Sequence, residues 1–170
     1  DLYGVRWIKA DDVFKTYRDT ILLVDKGQKE VSSTVGHNLM HNHPFAENRF
    51  AQAKAHYRAL LTILEMGDMD GFSDLVELEA LSLHAMMLTS TPYYILMHPN
   101  TIQIIQEVRR YRKTTGLHLT FTLDAGANVH LLYPAHEAEK VDQFIASDLR
   151  KYCQDNELIY DRVGTGLKKV

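Results

Sequence analysis

Apolar residues recur at helical spacing through the middle of the chain and predict consecutive helices there. The first predicted helix begins near Pro44, a residue suited to a first helical position, and ends at Gly67. The second follows Asp70. Their apolar positions are Ala46, Phe50, Ala53, Tyr57, Leu60 and Leu64, and then Phe72, Val76, Ala80, Leu83 and Met87. Spacings of three and four place each set on one helix face, which we expect to face the core.

A third predicted helix begins where Asn100 and Gln103 have the spacing of a capping box. It continues through Ile102, Ile105 and Val108, and Gly116 ends it. The periodicity then changes from helical to alternating. Over residues 118–124, three apolar side chains face one way and polar side chains, ending with Asp124, face the other. Residues 124–128 form a predicted turn, and Val129 to Tyr133 form the return strand.

Strands and a helix at both ends of the chain complete the predicted fold. An apolar strand, Ile21 to Val24, leads through a turn to a second short strand that ends near Ser33. After the return strand come a helix over residues 141–149 and a last strand from Leu158 to Val163. The order strand, helices, strand, strand, helix, strand indicates an α+β domain of the ferredoxin-like split βαβ type. The opening strand or hairpin and the extra helices are additions to that plan, and residues 1–170 form one domain.

Composition narrows the class of protein. The 170 residues are 45% hydrophobic and 24% charged, as in an ordinary globular domain, and the net charge is −3. That balance argues against a general nucleic-acid binder. The aliphatic run Ile21 to Val24 is too short to cross a membrane, and no signal peptide is visible. With one cysteine, Cys153, the chain forms no internal disulfide, so we expect a cytoplasmic protein.

Asp124 is the acidic residue whose setting best suits chemistry. It ends a strand on the side opposite the apolar row and enters a turn of small residues, Ala125, Gly126 and Ala127. A ligand could therefore approach both the carboxylate and the backbone N–H groups. A carboxylate there could accept or orient a hydroxyl proton. The simpler interpretation is an aspartate that caps its own turn.

Other polar residues offer weaker candidates. Ser33 and Thr34 lie in a hydroxyl-rich segment before Gly36, and such segments bind phosphate or carboxylate oxygens or simply bond their own loop. His84, within the second helix, is expected to be a buried, hydrogen-bonded histidine. The chain contains no glycine-rich phosphate loop.

A histidine cluster offers a metal-binding alternative. It comprises His37, His41 and His43, which are the residue type that zinc favours. Pro44 disfavours helix at His43, and no cysteine or carboxylate lies between residues 31 and 46. We therefore assign no metal site and expect a histidine-rich loop.

Three segments together resemble the C-terminal half of diphosphomevalonate decarboxylases, in the superfamily of galactokinase, homoserine kinase, mevalonate kinase and phosphomevalonate kinase. Residues 122–128, Thr-Leu-Asp-Ala-Gly-Ala-Asn, resemble the family's Thr-Phe-Asp-Ala-Gly-Pro-Asn. Residues 31–36 resemble its serine-rich segment, and residues 83–85 match its His-Ala-Thr region. Ala127 and Met86 depart from the family's proline and threonine. Thr34 matches eukaryotic members, whereas some bacterial members have arginine.

The resemblance implies an ATP- and Mg-dependent enzyme that converts mevalonate 5-diphosphate to isopentenyl diphosphate. By that likeness, Asp124 orients or deprotonates the tertiary hydroxyl, and Ser33, Thr34 and the Ala125 amide hold the substrate. The ATP loop would belong to an N-terminal lobe. The chain lacks an initiator methionine, so we expect a fragment that is inactive alone. Expected partners are the small-molecule substrate and that lobe, with a homodimer among the allowed assemblies, and neither nucleic acid nor membrane.

Two other functions are compatible with the same residues. A related superfamily kinase would use Asp124 to phosphorylate a mevalonate-like substrate without decarboxylation. A non-catalytic ferredoxin-like binding module would use the histidine cluster to respond to metal.

Overall fold

Four antiparallel strands form one sheet in the computed structural model, which describes residues 8–27, 40 and 42–164. The strands lie in the order β2–β3–β1–β4. Their bounds are β1 (Arg18–Leu22), β2 (Thr120–Leu123), β3 (Val129–Tyr133) and β4 (Leu158–Arg162). Every neighbouring pair is antiparallel.

Three long helices lie between β1 and β2, and a shorter one follows β3. The helices are α1 (Asp12–Lys15), α2 (Ala46–Met66), α3 (Met69–Leu88), α4 (Pro99–Thr115) and α5 (Ala138–Phe144). A π-helical turn, Ile145–Leu149, extends α5, and short 3-10 turns span Ala135–Glu137, Arg150–Tyr152 and Gln154–Asn156. This chain order with this strand order is the ferredoxin-like split βαβ plan, so the predicted fold class is confirmed. Strand β1 lies inside the sheet and is part of that plan rather than an addition to it.

The main core lies between one face of the sheet and helices α4 and α5. Alternate residues of β3 are fully buried on this face, as are Phe121 in β2 and Leu22 in β1. Ile104 and Val108 of α4 pack against them. The period-two pattern of residues 118–124 therefore predicted the inward row correctly, because a strand with one face on a core buries every second side chain.

Helix α3 covers the other face of the sheet beside β2, where it buries polar groups. Glu77 accepts hydrogen bonds from both terminal nitrogens of Arg112, one of them at 3.0 Å from Nη2 to Oε2. It also accepts one from the Thr120 hydroxyl at 2.9 Å. Arg112 donates in addition to the Leu119 carbonyl at 3.0 Å. Glu77, Arg112 and Thr120 thus each have a partner within this network, which joins α3, α4 and β2.

The predicted bounds of β1 and the predicted caps of the helices differ from the structure. Strand β1 spans Arg18–Leu22 instead of residues 21–24, because its register is set by pairing with β3 and β4. The capping box of α4 joins His98 and Thr101, whose Oγ1 accepts the His98 N–H at 3.1 Å, so the prediction of Asn100 with Gln103 was wrong. Helix α3 begins at Met69, with Asp68 as its cap. The short strand predicted to end near Ser33 lies outside the described residues.

Helix α2 is the least buried of the long helices. It begins at Ala46 rather than Pro44, ends at Gly67 in the left-handed conformation as predicted, and contains no fully buried residue. Its apolar stripe leaves Phe50 and Tyr57 about half exposed, at 51% and 54%, and α3 is the element of the described residues that packs most closely along it. The expectation that the whole stripe faces the core was therefore wrong.

None of the helices within residues 8–27 and 42–164 has both the length and the hydropathy needed to span a membrane.

We predict that Arg112→Gln lowers the free energy of unfolding by about 2–4 kcal/mol, because the buried Glu77 carboxylate loses the charge that compensates it. Urea denaturation measures this change. Arg110→Gln is the matched control: the Arg110 side chain is 67% exposed and pairs with Glu107 on the helix surface, so its loss costs less than about 1 kcal/mol. Equal losses in the two variants would contradict the role of the network.

Candidate active site

The loop between β2 and β3, residues 124–128, presents Asp124 at the protein surface. Leu123 is the last buried residue of β2, and the alternation of the strand turns the next side chain, Asp124, outward. Asp124 is exposed, whereas Ala125 and Gly126 are partly buried and Ala127 is buried. The carboxylate is therefore accessible to a ligand, and the residues beside it add little bulk.

Hydrogen bonds to three other parts of the chain hold this loop, two through its backbone carbonyls and one through the Asn128 side chain. The His84 ring donates from Nε2 to the Asp124 carbonyl at 3.1 Å. The Thr101 hydroxyl donates to the Ala127 carbonyl at 2.6 Å. Asn128 Oδ1 accepts the backbone N–H of Asp25 at 2.9 Å. Because these hydrogen bonds involve α3, α4 and the segment after β1, they hold both the start and the end of the loop.

His84 is a buried, uncharged donor. Its side chain is about 2% exposed, and the expected buried, hydrogen-bonded histidine is thereby confirmed. A carbonyl oxygen only accepts hydrogen bonds, so the proton of the neutral ring lies on Nε2. Burial lowers the pKa of His84, while its bond to the Asp124 carbonyl and the Asp124 charge oppose that shift. The ring is therefore neutral near pH 7 and supports the loop without adding a charge behind the carboxylate.

The floor under Ala125 is apolar. Met86, Met87 and Leu96 form a small buried cluster, and Ala125 packs against it. Met86 occupies the position where the resembling family has threonine, so this chain offers a thioether there instead of a hydroxyl. Ala127, at the family's proline position, is buried against the main core. Both departures leave the side chain of Asp124 at the surface.

The described residues include part of the predicted site. Asp124 and Ala125 lie together in the β2–β3 loop. Ser33 and Thr34, and likewise His37 and His41, lie outside the described residues.

His43, the described member of the histidine cluster, is engaged at both ring nitrogens. It is buried, and its Nδ1 accepts the Phe45 N–H at 3.1 Å. Its Nε2 lies 3.1 Å from the Met86 carbonyl and 3.2 Å from the Thr89 hydroxyl. In the part of the chain that the structure describes, no group of three or more histidine, cysteine or acidic side chains is arranged to hold a metal ion. His43 therefore packs against the end of α3, to which its ring is hydrogen-bonded.

Sequence patterns do not reveal the hydrogen bonds that position the loop. The partner of His84 lies 40 residues away in the chain and cannot be predicted from spacing. Thr101 had a local signal, since it follows His98 by three residues across Pro99 at a helix start. Asn128 belongs to the family-like segment, yet its bond to the Asp25 backbone depends on the fold.

We predict that His84→Gln weakens the pH dependence of stability, since glutamine can keep an N–H donor but does not titrate. Burial lowers the pKa of His84 in the folded chain, so the unfolded chain takes up the proton first as pH falls below about 6.5. Wild-type stability therefore decreases on acidification, by at most about 1.4 kcal/mol per pH unit from this group. Urea denaturation between about pH 7.5 and 5.5 measures it. Identical pH profiles for the two proteins would refute the assignment.

Solved structures and curated relatives resemble this chain. A phosphomevalonate decarboxylase from Haloferax volcanii is 28% identical over 98 residues, which cover 58% of this chain and 30% of that protein. A mevalonate diphosphate decarboxylase from Legionella pneumophila has a TM-score of 0.79 and 26% identity, covering 89% of this chain and 47% of the other. One from Enterococcus faecalis has a TM-score of 0.77 and 19% identity, covering 91% and 45%, and shows likeness of fold. The chain thus spans about half or less of the length of these relatives.

A family model also matches most of the chain. The model of the mevalonate 5-diphosphate decarboxylase C-terminal domain matches residues 20–166, which include the β2–β3 loop, the supporting helix α3 and all but the start of β1. The chain belongs to the family of C-terminal domains of mevalonate 5-diphosphate decarboxylase.

Proposed function

We propose that this chain supplies the acidic residue of an ATP-dependent decarboxylase that converts mevalonate 5-diphosphate to isopentenyl diphosphate. The observation that carries the proposal is the exposed Asp124, at the end of a core strand, on a loop whose backbone is fastened from behind. The fixed backbone places the Asp124 carboxyl group at a defined point on the surface, and a positioning-dependent reaction needs such placement.

The chemistry requires a group at the tertiary hydroxyl of the substrate. Asp124 orients that hydroxyl and accepts its proton as the oxygen attacks the terminal phosphorus of ATP. The new phosphate then leaves with the C–O bonding electrons. The electrons of the bond to the carboxylate carbon form the C=C double bond, and carbon dioxide departs. ADP and inorganic phosphate are the other products.

Substrate binding is proposed for Ser33, Thr34 and the backbone N–H of Ala125. Within the loop, the Gly126 N–H is the amide that donates to the Asp124 carbonyl, at 2.9 Å, and the Ala125 N–H takes no part in that bond. Hydroxyl and amide donors suit the carboxylate and phosphate oxygens of the substrate. The assignments of Ser33 and Thr34 rest on the resemblance of residues 31–36 to the family's serine-rich segment, and that of Ala125 on the resemblance of residues 122–128 to its aspartate motif.

ATP and magnesium are proposed to bind mainly to another part of the full-length protein. The 170 residues contain no glycine-rich phosphate loop, and the described residues offer no cluster of metal ligands. The related protein from Enterococcus faecalis binds ATP by a mechanism that mevalonate diphosphate mediates. We further propose that residues 1–170 form one C-terminal domain of a cytoplasmic enzyme, which pairs with an N-terminal lobe and is compatible with a homodimer.

A second candidate substrate is mevalonate 5-phosphate. It is favoured by the relative from Haloferax volcanii, which is a phosphomevalonate decarboxylase. Turnover of the full-length protein with each phosphorylated mevalonate, followed by product analysis, separates the two substrates. A phosphorylated product that retains its carboxylate would identify a kinase and overturn the decarboxylase proposal.

In the full-length enzyme we predict that Asp124→Asn lowers kcat roughly 100- to 10,000-fold with a smaller change in KM, because the amide still forms hydrogen bonds but does not accept the proton. Steady-state release of ADP and carbon dioxide measures it. Asp74→Asn, the same substitution on the exposed surface of α3, is the control and should retain full activity. Undiminished turnover by Asp124→Asn would sink the proposal.

We also predict that the 170-residue chain alone neither hydrolyses ATP nor decarboxylates mevalonate 5-diphosphate. A coupled ADP assay and trapping of labelled carbon dioxide measure the two activities. The physical reason is the lack of a phosphate-binding loop in this sequence. Turnover by this polypeptide, abolished by Asp124→Asn, would show that it holds the nucleotide itself.

A further inference from the structure

Two arginines face each other on neighbouring strands at the end of the sheet opposite Asp124. Arg18 begins β1, and its register partner in β4 is Arg162. On its other side Arg18 pairs with Tyr133, the last residue of β3. Asp124 follows Leu123, which pairs with Val129, the first residue of β3, so Asp124 lies at the opposite end of the sheet. The three paired side chains form one row across the face of the sheet that carries the core.

The paired arginines repel each other. Directly opposite residues of antiparallel strands have Cβ atoms about 5 Å apart, and like charges at such positions are destabilising. Both side chains are exposed. Among the residues that the structure describes, no carboxylate forms an ion pair with either guanidinium. An anion between them would remove the repulsion.

A pocket of about 300 Å³ lies at this position, lined by Arg18, Tyr133, Tyr160, Asp161 and Arg162. Tyr160 precedes Arg162 by two residues, so its ring extends from the same face of β4. Asp161 belongs to the opposite face by alternation, and its Oδ1 accepts the Arg162 backbone N–H at 2.7 Å. Because side chains alternate along a strand, the charged groups that line the pocket from this face of the sheet are the guanidinium groups of Arg18 and Arg162.

The floor of the pocket is held in place by buried hydrogen bonds. The Tyr133 hydroxyl donates to Asp142 Oδ1 at 3.1 Å and accepts the Thr20 hydroxyl at 2.7 Å. Burial raises the pKa of Tyr133 to about 12, so this hydroxyl stays neutral and brings no negative charge toward Arg18. Asp142 accepts the hydrogen bond from the Tyr133 hydroxyl, and among the described residues it forms no ion pair with Arg18.

We propose that this pocket, the Arg18–Arg162 pocket, binds a phosphate group, as free phosphate or as the head of a small phosphate ester. Two planar guanidiniums offer paired N–H donors that match phosphate oxygens. The Tyr160 ring supplies an apolar wall for a short organic substituent, and the volume lies at the small end of ligand pockets.

Titration calorimetry of the 170-residue chain with inorganic phosphate, at ionic strength held constant with sodium chloride, tests the proposal. We expect saturable binding and a phosphate-dependent rise in Tm. Arg18→Gln and Arg162→Gln should each weaken binding about tenfold, since each removes charge-assisted hydrogen bonds. A parallel titration with glycerol 3-phosphate separates the two sources: tighter binding identifies an ester, and weaker binding identifies the free ion.

The matched control is Arg109→Gln with Lys113→Gln, which removes two exposed positive charges from α4. Compared with Arg18→Gln/Arg162→Gln, it changes the net charge equally but leaves the pocket intact, so it should bind phosphate as wild type does. Absence of saturable binding by the wild type, equal weakening in the control, or equal stabilisation by chloride would overturn the proposal.

Discussion

Two hydrogen bonds join helix α3 to strand β2 and the loop after it, one at each end of the strand, and the position of Asp124 depends on both. Glu77 accepts the Thr120 hydroxyl where β2 begins, and His84 donates to the Asp124 carbonyl where it has ended. Seven residues of helix rise about 10 Å and four residues of strand about 13 Å, a difference of about 3 Å that the side chains of Glu77 and His84 can span. The helix and the strand are therefore joined at both ends of this stretch.

The fastenings act on the backbone of the loop and leave its acidic side chain at the surface. The Asp124 and Ala127 carbonyls both accept hydrogen bonds from neutral donors, His84 and Thr101. A charged donor in their place would attract the Asp124 carboxylate inward. Neutral donors hold the main chain while the Asp124 side chain stays exposed to solvent, which suits a group that must meet a ligand from outside the domain.

Local sequence patterns predicted the parts of the fold that local physics determines. The alternation of residues 118–124 identified the inward row of β2 and the outward direction of Asp124, because a strand beside a core has a fixed period. The start of β1 was misplaced, since its pairing with β3 and β4 decides its register and those strands lie more than 100 residues away. Phe50 and Tyr57 were expected in the core, but both are about half exposed, because hydropathy does not reveal which elements pack against α2. The bond from His84 to the loop was hidden for the same reason, as it joins distant segments.

The low burial of α2 has a consequence for how the sequences of such domains diverge. A helix without a fully buried residue can exchange outward-facing side chains at little cost to folding, because those positions make few close contacts. The outward-facing side chains of α2 can therefore differ between relatives in which different surfaces lie next to this helix. Drift in α2 would therefore leave the support of Asp124 unchanged, since that support passes through α3 and α4.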